Sequence, residues 1–253
     1  PDGAFEGEDF AESDYSIKPA VYVDVIDEHV LLTQGDGSFL WVETTDLSGD
    51  DTEFTSIPTN ISDLLPDGVE SFGWFSIKGT LLHDGELYVT YSHDADSGDE
   101  ECWSTAIAKA PYSRESLQFE NVWVSDFCID PSEVEEFNGH QAGGALAVSG
   151  GQLLFTHGDY RSRELSQDPD SFFGKLLAFD LNDLEAGPQI AATGLRNAQS
   201  VLVWGDDVWI TDQGPRGGDE MNLMRTSELG SGNVNFGWPI SSYGEHYDGE
   251  FRE

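Results

Sequence analysis

Basic residues are scarce in this chain of 253 residues, which has 11 Lys and Arg against 49 Asp and Glu and a formal net charge of −38. So acidic a surface repels phosphate backbones and anionic head groups, which argues against nucleic-acid binding and against adsorption to anionic membranes. No apolar run approaches the ~20 residues that a transmembrane helix needs, so we expect no membrane insertion. The chain begins at Pro1 without Met or a signal-type stretch, which indicates a processed or trimmed polypeptide.

Cysteine is equally scarce, with Cys102 and Cys128 alone in the sequence. They form no CxxC pair and have no histidine at zinc-finger distance, so a metal or redox motif is not expected. One disulfide or two buried thiols remain as alternatives. Each cysteine flanks a strand-like segment, and neighbouring antiparallel strands would bring the two together. In an exported protein we favour the disulfide.

Aromatic residues, in contrast, are abundant: 15 Phe, 8 Tyr and 7 Trp. A disordered acidic chain carries few such residues, so the charge is expected on the surface of a folded body. The length suits one domain with a sizeable core.

One motif occurs four times, as VLLTQGD, LYVTYSH, LLFTHGD and VWITDQG. Each copy has apolar residues before a threonine, and Thr33, Thr90, Thr156 and Thr211 follow one another at intervals of 57, 66 and 55 residues. A second apolar strand follows each copy. Short strands, many turn residues and the repeat predict an all-β protein, a β-propeller with four recognisable blades. A β-sandwich is the alternative, but it would not predict the repeat.

The propeller is assigned to residues 18–253, and we expect it to be incomplete at its C-terminal end because no closing strand follows the last repeat. Residues 1–17 are acidic and are interpreted as a flexible N-terminal arm. Residues 93–101 are interpreted as a solvated hairpin tip.

Between Phe137 and Pro239, glycines and isolated polar residues interrupt the strand-like sequence pattern. The interruptions are FNGHQAGGAL (137–146), THGDYRSRELSQD (156–168), GLRNAQS (194–200), DQGPRGGDEMNL (212–223) and NFGWP (235–239). Loops spaced one blade apart should converge on one end of the propeller axis, where such rings place their binding sites. Six of the eleven basic residues lie between 161 and 225, which indicates a local site for an anion.

These motifs, in this order, resemble the soluble glucose/sorbosone or aldose sugar dehydrogenases that depend on pyrroloquinoline quinone (PQQ). The similarity is strongest from about 137 to 249. The resemblance implies a six-bladed propeller, a periplasmic or secreted location, a sugar substrate and a soluble electron acceptor. It also implies oxidation of an aldose at C1 to its lactone, with PQQ as hydride acceptor and Ca²⁺ as activator.

The resemblance assigns roles to single residues. His140 corresponds to the catalytic base, and an imidazole suits that task because it titrates near neutrality. Arg196 is similar to the guanidinium that stabilises the growing oxyanion on the quinone. The remaining predicted cofactor contacts are Gln141, Asp159, Asn197 and Gln199. Without the family, His140 reads as a turn residue and Arg196 as a structural partner of a carboxylate.

For calcium, Gly214 and Pro215 match the pair whose backbone carbonyls hold the catalytic ion, a hard cation that prefers oxygen ligands. Taken alone, they would form an ordinary Gly-Pro turn. Glu220 and the backbone of Phe236 resemble a second, structural calcium site.

The sequence also departs from the family pattern. The histidine loop runs into 143–146 with one extra residue and without the family's arginine, and the glutamine of the GQxGLLG segment is missing from 67–74. These departures favour an alternative, a non-catalytic extracellular calcium-binding propeller that binds a protein or glycan partner. The retained His140, Arg196 and Gly214-Pro215 favour the enzyme.

Overall fold

The computed structural model describes residues 21–47, 52–66, 76–95, 101–134 and 136–245. The predicted arm at 1–17, the segment 67–74 and the centre of the hairpin tip lie outside these ranges. The described residues form strands and short 3-10 turns. The strands are β1 Val21–Ile26, β2 His29–Gln34, β3 Phe39–Glu43, β4 Thr55–Ile57, β5 Ile77–His83, β6 Glu86–Asp94, β7 Trp103–Pro111, β8 Glu120–Trp123, β9 Gly143–Ser149, β10 Gln152–His157, β11 Lys175–Asp180, β12 Gln189–Thr193, β13 Ala198–Trp204, β14 Asp207–Asp212, β15 Glu220–Arg225 and β16 Val234–Asn235.

The 3-10 turns are Thr44–Asp46, Ile61–Asp63, Pro131–Glu133, Arg163–Ser166, Leu184–Ala186 and Thr226–Glu228. None of the helical segments in the described ranges has the length and apolar character to cross a membrane.

The strands form four antiparallel sheets in chain order, each one blade of a propeller. The blades are β1-β2-β3-β4, β5-β6-β7-β8, β9-β10-β11-β12 and β13-β14-β15, and β16 adds in parallel to β12 at the outer edge of the third blade. The predicted all-β propeller with four blades is confirmed.

The repeated motif marks the second strand of every blade, because Thr33, Thr90, Thr156 and Thr211 lie in β2, β6, β10 and β14. The apolar segment after each motif forms the third strand. Thr90 Oγ1 donates to the Gly144 carbonyl oxygen at 2.7 Å, and Thr156 Oγ1 donates to the Ala198 carbonyl oxygen at 2.8 Å. In both cases the acceptor lies in the inner strand of the next blade, so the threonines of the second and third blades link neighbouring blades.

The hydrophobic core lies between the blades rather than within one layer. The first and second blades meet around Leu31, Phe39 and Val89, the second and third around Ile107 and Phe155. The third and fourth meet around a further set that comprises Leu154, Leu176, Val208, Ile210 and Met224. The second and third blades, which have a neighbour on each side, are therefore apolar on both faces. This explains the continuous apolar runs in β6 and β10.

Cys102 and Cys128 form a disulfide. Cys102 precedes β7 and Cys128 follows β8, two antiparallel neighbours, so the predicted pairing and its geometric reason are confirmed. Trp103 and Ile129, adjacent to the two cysteines, also exchange backbone hydrogen bonds.

Candidate active site

The polar loops of the third and fourth blades meet at one end of the strands. β9 and β13 begin at this end, β10 and β14 finish there, and β11 and β15 begin there again. Backbone hydrogen bonds join the loops directly, for example from Asp159 N to Arg196 O at 2.9 Å and from Gln213 N to Asn197 O at 3.1 Å. The predicted convergence of these loops is therefore observed.

His140 lies in the loop that leads into β9, and its side chain is exposed to solvent. Its backbone N–H donates to Asn138 Oδ1 at 2.9 Å, which shapes the turn. Partial burial, together with the positive charge of Lys78, lowers the pKa of the imidazole. A lowered pKa leaves more of the imidazole unprotonated at neutral pH, which is the form that accepts a proton.

Directly after His140, Gln141 joins a buried network of charged groups. With its amide oriented to satisfy its neighbours, Nε2 donates to Asp159 Oδ1 at 3.0 Å, and Oε1 accepts from Arg196 Nη2 at 2.9 Å and Arg161 Nε at 3.0 Å. Gln141, Asp159 and Arg196 are nearly or fully buried. Three predicted cofactor contacts thus form one connected group, which holds the guanidinium of Arg196 in place.

Asp159 is tied to a second segment through Trp238, whose indole Nε1 donates to Asp159 Oδ2 at 2.8 Å. The Arg196 guanidinium also lies against the Trp238 ring, 5.4 Å from its centroid. Burial raises the pKa of Asp159 to about 6, although the N–H of Arg161, the charge of Arg196 and the bond from Trp238 all favour the carboxylate. Burial outweighs these groups because the residue has no access to solvent.

Arg196 and Asn197 are held through their main chain by Asp212, the last residue of β14. Its carboxylate accepts from Arg196 N at 2.8 Å and from Asn197 N at 2.7 Å. The side chains then reach the following residue, since Arg196 Nη1 donates to Gln213 O at 2.6 Å and Asn197 Nδ2 to Gln213 Oε1 at 2.9 Å. Burial raises the pKa of Asp212 to about 7.

Asn197 also connects the third blade to the fourth. Its Oδ1 accepts from the backbone N–H of Gly143 at 3.1 Å and from Gln199 Nε2 at 2.7 Å. Gln199 is exposed in β13, unlike the buried Asn197. The predicted pair is therefore in direct contact, with Asn197 inside and Gln199 at the solvent edge.

The residues predicted to bind calcium lie in two places. Gly214 N donates to Asp219 Oδ1 at 3.2 Å, and the Pro215 carbonyl accepts from Gly218 N at 2.8 Å. A Cβ on Gly214 would lie 1.9 Å from the Gly218 carbonyl oxygen, so only glycine fits in this turn. The turn belongs to the loop between β14 and β15 of the fourth blade.

Glu220 opens β15, where it accepts from Asn222 Nδ2 at 3.2 Å and from the backbone N–H of Tyr243. Phe236 follows β16 at the outer edge of the third blade, and its N–H donates to Thr193 O at 3.0 Å. Glu220 and Phe236 thus belong to different blades, and a common cage around one calcium ion stays a prediction.

A cavity of about 540 Å³ opens beside this loop on the fourth blade. It is lined by Gln199, Thr211, Asp212, Gln213, Asp219, Glu220 and Met221. The lining is rich in carboxylate and amide oxygens. Within the ranges that the structure covers, however, no three His, Cys, Asp or Glu side chains come together as metal ligands. A cation here would need backbone carbonyl oxygens as well.

Four residues of this region escaped the sequence reasoning: Lys78, Asp212, Gln213 and Trp238. Three of them, Asp212, Gln213 and Trp238, lie in loop motifs that the sequence analysis identified. Nothing in the sequence indicated which side chains of those motifs are directed towards the site. Lys78 lies in the strand-like segment SIKGTLL, in which no local sequence pattern indicates a site residue.

The family model described as Glucose / Sorbosone dehydrogenase matches residues 21–253, nearly the whole chain. The chain belongs to the glucose/sorbosone dehydrogenase family. A related protein, aldose sugar dehydrogenase YliI of Escherichia coli strain K12, is 28% identical over 178 residues, which are 64% of this chain and 44% of that protein. The chain therefore spans less than half the length of this relative.

Solved structures of glucose and aldose sugar dehydrogenases share the fold. A glucose dehydrogenase matches with a TM-score of 0.67 at 21% identity, over 92% of this chain and 66% of its own. The apo form of the soluble aldose sugar dehydrogenase of Escherichia coli matches with a TM-score of 0.64 at 22% sequence identity, over 92% of this chain and 70% of that protein's chain. The PQQ-bound aldose sugar dehydrogenase of Streptomyces coelicolor matches with a TM-score of 0.62 at 18% sequence identity, over 93% of this chain and 71% of that protein's chain. The family predicted from the sequence motifs is therefore confirmed.

Proposed function

We propose that the chain forms the catalytic part of a quinoprotein that oxidises an aldose at C1 to its lactone, with PQQ as hydride acceptor, Ca²⁺ as activator and a soluble electron acceptor. One observation carries the proposal. The exposed His140 is the immediate neighbour of Gln141, which is bonded to both Asp159 and Arg196. A proton acceptor and a fixed cation thus belong to loops that are hydrogen-bonded to each other at one end of the propeller.

His140 would take the proton of the sugar's anomeric hydroxyl, because its imidazole is exposed and its pKa lies below the ordinary value. Arg196 would stabilise negative charge, since its guanidinium is held by Gln141, by the Gln213 carbonyl and by the Trp238 ring. These contacts are in place before any ligand arrives, so little reorganisation is needed during the reaction.

The residues present fit PQQ by charge. The cofactor is an anionic quinone, and it would supply the electrophilic carbon that accepts the hydride. Arg161 and Arg196 meet on Gln141, and Lys78 lies beside the His140 loop. On a chain of net charge −38, this concentration of cationic groups at one end suits an anionic ligand. Asn197 and Gln199 would add amide contacts.

The residues present also fit Ca²⁺ by donor chemistry, because five residues of the cavity lining carry a carboxylate or amide oxygen: Gln199, Asp212, Gln213, Asp219 and Glu220. The carbonyls of Gly214 and Pro215 are the proposed ligands of the activating ion, and Glu220 with the Phe236 carbonyl those of a structural ion. Burial raises the pKa of Glu220, and a bound cation would instead favour its carboxylate form.

We place the protein in the periplasm or outside the cell. The Cys102–Cys128 disulfide supports this location, because such bonds persist in oxidising compartments.

The activity test mixes the purified full-length protein with PQQ, Ca²⁺ and a panel of aldoses, and follows dye reduction and the quinone absorbance. We expect sugar-dependent reduction, and His140→Ala should lower turnover by about 10²- to 10⁴-fold while PQQ binding persists. His83→Ala, a histidine at the far end of β5, is the matched control. A full-length protein that binds calcium but neither reduces the dye nor alters the quinone absorbance would favour the non-catalytic propeller instead.

The calcium test measures the melting temperature in 1 M salt with and without a chelator. At that salt concentration the Debye length is about 3 Å, so diffuse attraction to the acidic surface is screened while a coordinated ion persists. Chelation should lower the melting temperature, because an ion bound only to the folded state stabilises it. Glu220→Gln should reduce this shift, whereas Glu185→Gln, in the loop between β11 and β12, should not. An unchanged shift in Glu220→Gln would remove Glu220 from the proposed ligands.

A further inference from the structure

Lys78 lies beside the loop that carries His140, although the two residues belong to different blades. It is the second residue of β5 (Ile77–His83), at the end of the inner strand where the site loops meet. Its side chain is mostly buried, and Nζ donates to the Gly139 carbonyl oxygen at 3.2 Å. The residue that precedes the proposed base is therefore tied to the neighbouring blade.

The far end of the same loop packs against the backbone of Lys78. A Cβ added to Gly144 would lie 2.3 Å from the Cβ and 2.8 Å from the carbonyl oxygen of Lys78, and Gly144 has a φ of +114°. A Cβ added to Gly79 would lie 2.3 Å from the Gly144 carbonyl oxygen. Only glycine fits at these two positions, so the loop 139–144 is held against Lys78 at both of its ends.

Lys78 and His140 also interact through their charges. Burial lowers the pKa of Lys78 to about 7. Burial and then the charge of Lys78 lower the pKa of His140. No carboxylate among the described residues contributes to either shift. The groups that β6 and β9 place beside this part of β5 are neutral, Thr90 and Gly144. From β1, Asp24 accepts a hydrogen bond from Thr80 Oγ1 at 2.8 Å, two residues further along β5. His140 is a titratable group whose pKa the charge of Lys78 lowers.

We propose that Lys78 is the positioning residue of His140: its amino group fixes the loop through Gly139, and its positive charge opposes protonation of the imidazole. His140 is then ready to take a hydroxyl proton from the substrate. This inference rests on the proposed role of His140 as the base. In proton transfer Lys78 acts through the histidine and does not touch the reacting atoms.

The direct test is an NMR titration of the His140 ring in the full-length protein, with its signals assigned from His140→Gln. Lys78→Met keeps the length of the side chain and removes its charge, so the pKa of His140 should rise by a few tenths of a unit to about one unit. Lys78→Arg keeps the charge and should leave that pKa low. Lys109→Met, at the opposite end of the second blade in β7, is the matched control and should change nothing.

The unmodified protein gives an independent check that does not depend on folding of a variant. Because Lys78 loses its proton near pH 7, above the range in which His140 titrates, the ring signals should show a second, smaller inflection near that pH. Absence of this inflection, or an unchanged His140 pKa in Lys78→Met, would overturn the proposal.

Turnover supplies a separate readout. A higher pKa keeps the base protonated up to a higher pH, so the acidic limb of the pH-rate profile should move to higher pH in Lys78→Met and return in Lys78→Arg. If the NMR shifts appear while no variant and no unmodified protein oxidises a sugar, the coupling of Lys78 with His140 stands and the proposed function fails. If activity is present but the NMR shifts are absent, the proposed function stands and the role of Lys78 fails.

Discussion

The third and fourth blades share the threonine motif but have different surroundings. The third blade packs on neighbours through both faces, so every residue of β11 except the last is buried. The fourth blade packs through one face, with Val208, Ile210 and Met224 inside, and β15 alternates between covered and exposed positions. On its other face Leu202, Trp204, Met221 and Leu223 are exposed. Apolar residues therefore occupy both faces of the fourth blade as well, and whether they are buried depends on whether a neighbouring blade covers the face.

The repeated threonine shows the same difference on a smaller scale. In the third blade, Thr156 Oγ1 accepts from Ala145 N at 3.0 Å and donates to Ala198 O of the next blade at 2.8 Å. In the fourth blade, Thr211 is exposed, and its hydroxyl pairs with Ser200 Oγ of the same sheet at 2.8 Å. The repeated threonine thus links two blades in one place and bonds within a single sheet in the other.

The largest expected effect contrasts two leucines in the third strands of these blades. Leu177→Ala in β11 removes a fully buried side chain and should lower the free energy of unfolding by about 2–5 kcal/mol. Leu223→Ala in β15, where the side chain is 42% exposed, should cost less than about 1 kcal/mol. Urea unfolding of both variants measures the contrast. Equal losses would show that the fourth blade is as well packed as the third.

A second prediction concerns two ionisable residues buried in the third blade, His157 and Asp159. Burial lowers the pKa of His157 from 6.5 to about 4, so the unfolded state binds more protons and this residue destabilises the fold as pH falls from 6.5 to 4. Burial raises the pKa of Asp159 from 3.8 to about 6, so the folded state binds more protons and this residue destabilises the fold as pH rises from 4 to 6. Each contribution amounts to about 3 kcal/mol at most.

Because the two contributions oppose each other, single replacements should expose them. His157→Gln should make stability decline more steeply with rising pH between about 4 and 6, and Asp159→Asn should have the reverse effect. Urea unfolding at several pH values between 4 and 7 measures both slopes. If both variants changed the slope of the unmodified protein in the same direction, the burial of one of these groups would be contradicted.

The smallest expected effect compares the two threonines. Thr156→Val keeps the shape of the side chain but leaves Ala145 N and Ala198 O without their partner, so a loss of about 1–3 kcal/mol is expected. Thr211→Val replaces an exposed hydroxyl and should change stability by no more than about 0.5 kcal/mol. Thermal unfolding of the pair tests whether the motif stabilises the blade interface or only its own strand.

Much of the fold was predictable from the sequence because strand and turn signals are local. The threonine motif located β2, β6, β10 and β14, and the apolar segment after each copy located the third strand of each blade. The Cys102–Cys128 disulfide could also be predicted, since both cysteines flank adjacent strands of one sheet. The order of the loop motifs was enough to indicate the family.

The site was only partly predictable, and the missing part comes from contacts between distant positions. Asp159 and Arg196 could be named from their motifs, but their connection through Gln141 depends on how the loops close. Trp238 reaches Asp159 from 79 residues further along the chain. Glu220 and Phe236 lie close in sequence, yet they belong to different blades.

The sequence by itself determined the strands, the repeat, the family and the identity of most polar residues at the site. Tertiary structure alone decided that Lys78 lies against the His140 loop and that His157 and Asp159 lose contact with water. The physical reason is that periodicity and turn chemistry act over a few residues, whereas charge interactions and burial depend on distances set by the packing of whole blades. A pKa shift such as that of His140 therefore belongs to the folded protein and has no counterpart in the sequence pattern.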